Sequence, residues 1–377
     1  MKKTALYLIS GLSVLLMAAG CAAQHTEEDV RSIKIAVMDT EAVLIADDSY
    51  LNGISMAIED LNILYEEQGY QISYEFYEDG AEFQQGIAAV NEIISDPEIT
   101  AVVGTSSLNI LDVAADMLDD AGKLLVTYYS CEDSMLENGY THVFRNCYGE
   151  RDLGTAIAEY AAGREDIRRM AVYHSDTDYE RNMVRAFLRA AEGTDMEIVD
   201  VATTSRLEPT LDTMLHRWEL LGVDAVFVSQ YDAQDAFEIL RRVRAVNPEI
   251  CVLGDFSFDY TDYLMDNAAV SDNIYIATPV PMEPSQKTEL FYERYREKYG
   301  SEPTQWAVQL YDSVRMIADT AVRIGSTDST LIARALRQEG GYQAVGGTLT
   351  FDEKGWLTGR YPKIMVSKQG MFQFVEE

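Results

Sequence analysis

The chain has 377 residues, of which 47% are hydrophobic and 25% are charged, which excludes fibrous, disordered and small disulfide-scaffold proteins and leaves enough apolar material for one large or two medium cores. Its 30 basic residues stand against 63 acidic ones, a formal net charge of −33, so nucleic acids and bare anionic lipid surfaces would be repelled. The histidines and cysteines form no His-x-x-x-His or Cys-x-x-Cys pair, which removes the common zinc and redox motifs. We therefore expect no nucleic acid, metal or cofactor.

The first twenty residues have the layout of a secretory signal. Lys2 and Lys3 precede an almost wholly apolar run, Ala5 to Ala19, that ends in small residues. This run is shorter than the roughly twenty residues that a membrane span needs. We predict a signal peptide over residues 1–20, whose removal leaves 28 basic against 63 acidic residues, a formal charge of −35.

Cys21 directly follows these small residues and resembles the cysteine of a bacterial lipobox, which receives a diacylglycerol and becomes the new N-terminus. Ala18 stands where leucine is usual, and an ordinary secreted protein with a chance cysteine is the alternative. We predict lipidation at Cys21 and a polar tether over residues 21–31, since two acyl chains give stable membrane anchoring. Cys131, Cys147 and Cys251 remain, so at least one is unpaired.

Short strands and amphipathic helices alternate from Ile33 onward. Runs of β-type residues predict strands, and apolar residues at three- and four-residue steps predict helices. The first series is strand Ile33–Met38, helix Ile54–Tyr65, strand Ile72–Tyr77, helix Phe83–Ile94, strand Thr100–Val103, helix Leu108–Ala121 and strand Leu124–Thr127. Repeated βαβ units predict a parallel sheet with helices on both faces.

The same pattern restarts after Arg145 and indicates a second lobe. Predicted strands lie near 169–173, 197–201, 225–228 and 251–253, with helices at 151–162, 179–192, 211–221 and 233–246. The remainder, with strands at 274–277, 347–351, 361–366 and 372–375 and helices at 290–299 and 306–324, completes both lobes. We predict an α/β fold of two doubly wound Rossmann-like lobes joined by a multi-strand hinge, with residues 32–145 plus 278–345 in lobe 1 and 146–277 plus 346–377 in lobe 2.

Ligands of open α/β sheets bind beyond the carboxyl ends of the strands. In the first lobe that position holds Gly104-Thr105-Ser106-Ser107, where hydroxyls and a helix N-terminus could hold a carboxylate or another oxygen-rich group. Simple capping of the helix by Ser106 or Ser107 is the alternative.

The other strand ends carry aromatic and acidic side chains. These groups suit a ligand with a cationic or hydrogen-bond-donating end, although solvated loop charge is the alternative for any one of them. The candidate ligand-binding residues at these ends are Tyr128, Tyr129, Ser130 and Cys131 in lobe 1, and Tyr179, Tyr231, Asp255 and Phe256 in lobe 2.

Catalytic motifs are missing from the sequence. It contains no Gly-x-Ser-x-Gly, His-Glu-x-x-His, Gly-x-x-x-x-Gly-Lys or Gly-x-Gly-x-x-Gly motif in the required context. His174 follows a predicted strand, but spacing assigns it no nucleophile. We predict that the chain is not an enzyme; a lipid-anchored hydrolase that depends on His174 is the alternative.

Four segments in this order resemble the substrate-binding lipoproteins of ABC transporters, in the leucine/isoleucine/valine-binding branch of the type I periplasmic-binding-protein fold. The resemblance spans about Ile33 to Val375. The segments are Ile33–Met38, Glu137-Asn138-Gly139-Tyr140-Thr141-His142-Val143-Phe144-Arg145, Tyr311-Asp312-Ser313-Val314, and Gly346-Gly347-Thr348-Leu349-Thr350-Phe351-Asp352-Glu353-Lys354-Gly355.

The resemblance implies that two lobes close over a ligand by hinge motion. It also shows where this chain departs from the amino-acid binders of the family. Leu108 stands in place of a ligand-binding serine, Cys131 in place of a threonine, and Glu180 in place of the glycine that follows the tyrosine matched by Tyr179. Tyr231 matches, or lies next to, a second tyrosine, and Asp255 lies one place before the usual acidic position, which here is Phe256.

The residues that bind the ligand carboxylate in the family are altered in this chain. We therefore do not expect a standard aliphatic amino acid as the ligand. We expect a monomeric, extracytoplasmic, lipid-anchored protein that captures a small polar or aromatic-bearing metabolite, such as an amide or a modified amino acid, and delivers it to an ABC permease. A ligand-sensing component for a membrane kinase or chemoreceptor is the alternative, because closure around a ligand serves both.

Overall fold

The computed structural model describes residues 30–129, 135–203, 210–230, 232–338 and 340–375. Its strands are β1 (Arg31–Asp39), β2 (Tyr70–Glu78), β3 (Ile99–Gly104), β4 (Leu124–Thr127), β5 (Val143–Arg145), β6 (Arg169–His174), β7 (Glu197–Thr203), β8 (Ala225–Ser229), β9 (Cys251–Gly254), β10 (Ile274–Ala277), β11 (Tyr342–Gln343), β12 (Thr348–Phe351), β13 (Leu357–Thr358), β14 (Ile364–Lys368) and β15 (Met371–Phe374). Its helices are α1 (Glu41–Ala46), α2 (Ser49–Tyr65), α3 (Phe83–Ser95), α4 (Leu108–Asp120), α5 (Glu150–Ala162), α6 (Asp178–Ala191), α7 (Leu211–Leu221), α8 (Ala233–Val246), α9 (Thr261–Asp266), α10 (Gln286–Tyr299), α11 (Gln305–Ile324) and α12 (Ser329–Gln338).

The first lobe is built on a parallel sheet with strand order β2-β1-β3-β4-β5. Side chains of β1 alternate between the two faces of this sheet, as the pleat of a strand requires. Ile35 packs with α2 and α11 on one face, and Ala36 packs with α3 and α4 on the other. Burial on both faces explains why β1 and β3 have nearly continuous apolar runs.

The second lobe has the strand order β15-β14-β10-β9-β8-β6-β7. Strands β6 to β10 pair in parallel, whereas β14 and β15 add an antiparallel edge. Helices α7, α8 and α9 contribute to the core on one face of this sheet, and α5 and α6 to the core on the other. The predicted pair of doubly wound lobes is therefore confirmed.

The chain crosses between the lobes three times within the described residues, after β5, after β10 and between β13 and β14. The last crossing differs from the predicted boundary at residue 346. Leu349 and Phe351 of β12 belong to the first-lobe core, and the Phe351 ring lies 5.2 Å from that of Phe144. The assignment of residues 346–358 to lobe 2 is therefore corrected, because β12 packs in the first-lobe core and β13 pairs with β12.

The turn that precedes β12 is held by Asp312 of α11. Its two carboxylate oxygens accept hydrogen bonds from the backbone N–H groups of Val345 and Gly346, each at 2.8 Å. The Tyr311–Val314 and Gly346–Gly355 segments are therefore joined through Asp312, which gives their joint occurrence a structural reason.

Three helices and three strands among the described residues had no individual sequence prediction: α1, α9, α12, β5, β11 and β13. The first two have only six residues each, too few for a helical period to be read. No helix among the described residues combines the length and apolarity that a membrane crossing requires. Cys147 and Cys251 are free thiols, and Cys131 and Cys21 lie outside the described residues.

Candidate functional site

The carboxyl ends of the two sheets face each other across a closed cleft. Tyr129, which follows β4, packs edge-on against Phe256, which follows β9, with ring centroids 5.5 Å apart. Gln305, at the start of α11, donates a hydrogen bond from its Nε2 to the carboxylate of Asp259 in the other lobe. These contacts show that loops at the strand ends of both lobes form the two walls of one cleft.

The first-lobe wall is aromatic and centred on Trp306. Its indole stacks with the ring of Tyr50 at 5.6 Å and with the ring of Tyr129 at 5.9 Å, with interplanar angles of 23° and 19°. Tyr128 packs edge-on against both Tyr50 and Trp306. We call these four residues, Tyr50, Tyr128, Tyr129 and Trp306, the aromatic wall.

The second-lobe wall places Phe256 between two tyrosines. The Phe256 ring contacts Tyr129 of the aromatic wall on one side and Tyr179, at the start of α6, at 5.7 Å on the other. The structure therefore brings together Tyr128, Tyr129, Tyr179 and Phe256, four of the residues predicted to contact ligand.

The hydroxyl-rich loop after β3 holds carboxylates of the protein itself. Ser106 Oγ donates to Asp39 Oδ1 at 2.5 Å, and Ser107 Oγ donates to Asp79 Oδ1 at 3.2 Å. Thr105 Oγ1 also donates to Asp79. Ser107 is the N-terminal capping residue of α4, but its side chain makes no capping hydrogen bond. The alternative of simple side-chain capping is therefore wrong for Ser107.

Four carboxyl groups near the strand ends have raised pKa values: Asp39, Asp255 and Glu180 are buried, and Asp259 is half-buried. Burial raises the pKa of Asp39 and of Asp259 to about 7, and that of Asp255 to about 6. Burial likewise raises the pKa of Glu180 to about 7. In each case the loss of solvation outweighs the hydrogen bonds that favour the charged form.

Asp255 is a structural anchor of the second-lobe wall. Its Oδ2 accepts a hydrogen bond from Ser229 Oγ at 2.6 Å, and its Oδ1 accepts one from the Ser257 N–H at 2.9 Å. The side chain thereby fixes the turn that presents Phe256 to the cleft.

Three predicted site residues, Ser130, Cys131 and Tyr231, lie outside the described residues. His174 is buried, its Nδ1 lies 2.7 Å from the backbone oxygen of Ser175, and burial lowers its pKa. The ring nitrogen facing a carbonyl oxygen must carry the proton, so Nδ1 serves as a donor here.

Sequence reasoning missed Asp39, Asp79, Asp259, Gln305 and Trp306 as cleft residues. Asp39 and Asp79 stand at or directly after the ends of β1 and β2, so the rule about strand ends could have found them. Trp306 opens a helix far along the chain, and its position beside Tyr129 depends on tertiary packing alone.

A model of the family described as periplasmic binding protein matches residues 32–362. The chain is 22% identical over 349 residues to the leucine-, isoleucine-, valine-, threonine- and alanine-binding protein of Pseudomonas aeruginosa, covering 93% of each chain. It is 21% identical to the Leu/Ile/Val-binding protein of Escherichia coli K12, covering 91% of this chain and 93% of that one. An ABC transporter substrate-binding protein from Desulfitobacterium hafniense, solved in complex with leucine, superposes with a TM-score of 0.80 at 26% identity over 91% of this chain and 100% of that one.

Proposed function

Since the chain belongs to the periplasmic binding protein family, whose members bind solutes for transport and are not enzymes, we propose that it captures a small polar molecule, amino-acid-like or an amide, and delivers it to an ABC permease. The molecule is held in the cleft between the lobes. The protein acts outside the cytoplasm as a monomer.

The contact between Tyr129 and Phe256 across the cleft carries this proposal. It joins the two lobes through side chains on opposing strand ends, and three chain crossings within the described residues connect the same two lobes. Such a contact can open and close by hinge motion without breaking either core. Closure over a solute then gives the permease a distinct loaded conformation to recognise.

A panel of amino acids, amides and small amines tests solute binding by thermal shift. A ligand of the cleft at 100 times its Kd adds about 2.7 kcal/mol to the free energy of unfolding, so the Tm rises with ligand concentration. Phe256→Ala removes the ring contacts with Tyr129 and Tyr179. We expect it to weaken the affinity for the ligand about tenfold.

Leu220→Ala is the matched control, because Leu220 is 75% exposed near the end of α7 and precedes β8 on the side away from the cleft. It should leave the response unchanged. If Phe256→Ala binds as tightly as the unmodified protein, or if no compound in the panel and no co-purifying small molecule binds, the cleft is not the solute site.

We further propose that the protein is anchored by lipid on Cys21. The basic start, the apolar run and the small residues before Cys21 support this. In a bacterial host, the full-length chain should enter the detergent phase of a Triton X-114 extract, and Cys21→Ala should leave the protein as an uncleaved precursor without acyl groups. Mass spectrometry that finds an unmodified Cys21 in the mature protein would overturn the anchor.

A further inference from the structure

We propose that the ligand of this cleft is a compact organic cation without a free carboxylate, such as a quaternary or protonated amine, held between the aromatic wall and the carboxylate of Asp39. This rests on the proposed function, because it specifies the class of solute that the same cleft binds. Four observations on the described residues carry it.

The first is an unpartnered carboxylate oxygen at the end of β1. Asp39 is fully buried, and its Oδ1 accepts hydrogen bonds from the Thr40 N–H at 2.8 Å and from Ser106 Oγ at 2.5 Å. Its Oδ2 has no hydrogen-bond partner within the described part of the chain. A buried charged oxygen without a donor is costly, so this atom marks the place where a ligand supplies positive charge or an N–H group.

The second is that Asp39 and the aromatic wall lie at the same edge of the first-lobe sheet, because Asp39 ends β1, Tyr128 follows β4 and only β3 lies between these two parallel strands. The Tyr50 ring stacks on Trp306, which stacks in turn with Tyr129. Aromatic faces attract cations, and they attract them most strongly where water is excluded.

The third is that the loop expected to bind a ligand carboxylate is already occupied. Ser106 donates to Asp39, and Thr105 and Ser107 donate to Asp79, whose Oδ1 also accepts a hydrogen bond from the Ala81 N–H at 2.8 Å. A ligand carboxylate placed here would meet two buried acidic side chains in place of free donors. Like charges in such a site repel strongly, so zwitterionic amino acids are disfavoured.

The fourth is the charge of the opposite wall. Asp255 and Asp259 lie on the second-lobe side, and Asp255 is held by hydroxyl and backbone donors. Among the described residues, no lysine or arginine forms an ion pair or hydrogen bond with Asp39, Asp79, Asp255 or Asp259. The described cleft residues thus include carboxyl groups from both lobes without a basic partner, and a cationic ligand would favour the charged form of these groups.

Three compounds that share a trimethyl head test the charge of the ligand by calorimetric titration. Choline carries the cation, 3,3-dimethyl-1-butanol is its neutral carbon analogue, and glycine betaine adds a carboxylate. We expect choline to bind at least about 30-fold more tightly than the neutral analogue, since cation–π attraction in a desolvated site amounts to about 2 kcal/mol. We also expect it to bind more tightly than glycine betaine, because the carboxylate of betaine would meet the side chains of Asp39 and Asp79.

Asp39→Asn tests the role of the unpartnered oxygen. The amide preserves the shape of the side chain and can still accept from Ser106 and Thr40, so we expect choline affinity to fall about 30-fold with little change for the neutral analogue. Glu67→Gln makes the same change of net charge at an exposed residue before β2, at the other end of the sheet, and should leave choline affinity unchanged.

Several outcomes would overturn the cation proposal. These are tighter binding of glycine betaine or leucine than of choline, equal binding of the neutral analogue, stronger stabilisation by calcium chloride than by choline, or no binding of choline, tetramethylammonium or a primary amine. The first two leave the solute-binding function intact, because a solute still binds. The solute-binding function is contradicted only if the amino acids and amides of the wider panel also do not bind and no co-purifying small molecule binds. The ligand comparison uses the unmodified protein and does not depend on the folding of Asp39→Asn.

Discussion

Gly355→Ala is expected to destabilise the protein by about 3 to 5 kcal/mol. Gly355 has a φ of +83°, a left-handed conformation that costs other residues about 1–2 kcal/mol. A Cβ atom there would lie 2.1 Å from the backbone oxygen of Val143, which cannot move without disturbing β5. The Gly355 oxygen also accepts a hydrogen bond from the Arg145 N–H at 2.9 Å, next to the first lobe crossing. Urea unfolding followed by circular dichroism measures the loss.

Gly359→Ala separates the cost of the left-handed backbone conformation from the cost of a steric clash with the added Cβ atom. Gly359 has a similar φ of +75°, but no heavy atom outside its chain neighbours lies within 4 Å of its hypothetical Cβ. It should cost only about 1 kcal/mol. If the two variants lose the same free energy of unfolding, the close approach of Gly355 to β5 does not contribute to the cost of Gly355→Ala.

The free energy of unfolding is expected to fall by several kcal/mol as the pH rises from about 4 to about 7. Burial raises the pKa of Asp39, Glu180, Asp259 and Asp312 to about 7 and that of Asp255 to about 6, whereas unfolded carboxyls titrate near 4. Between these values the folded state binds more protons than the unfolded state, so stability decreases as the pH rises, by at most about 1.4 kcal/mol per unit for each group.

His174 acts in the opposite sense, because burial lowers its pKa and stability is lost as the pH falls below about 6.5. The pKa of Asp112 is also raised by burial, so His174 is one group against six, and growing repulsion among the many acids adds to the loss of stability at higher pH. Urea unfolding at pH 5, 6, 7 and 8 should therefore give its highest stability at pH 5. Asp39→Asn should make the free energy of unfolding depend less steeply on pH, and Glu67→Gln should not. A stability that rises from pH 5 to pH 8 would contradict the raised pKa values of these acids.

The same linkage connects stability to the ligand. A bound cation favours ionised carboxylates, so it would lower the pKa of Asp39 and offset part of the destabilisation at neutral pH.

The sequence was sufficient for the elements that bury apolar side chains on a regular period. Strands Leu124–Thr127 and Ile274–Ala277 and helices Leu211–Leu221 and Ala233–Val246 have the predicted bounds, because burial on one or both faces leaves a periodic apolar pattern in the chain itself. The rule that ligands lie beyond strand ends also placed Tyr129, Phe256 and Tyr179 at the cleft.

Tertiary structure alone decided how those residues are used. The decisive contacts join residues far apart in the sequence. Trp306 stacks on Tyr129, and Phe351 packs on Phe144 of the first lobe. The hydroxyls of Ser106 and Ser107 donate hydrogen bonds to Asp39 and Asp79. Periodicity records whether a side chain is buried and does not record which distant side chain it meets. Partners are selected by strand order and by the path of the three crossings, so the chemistry of the cleft emerges only once both lobes are folded.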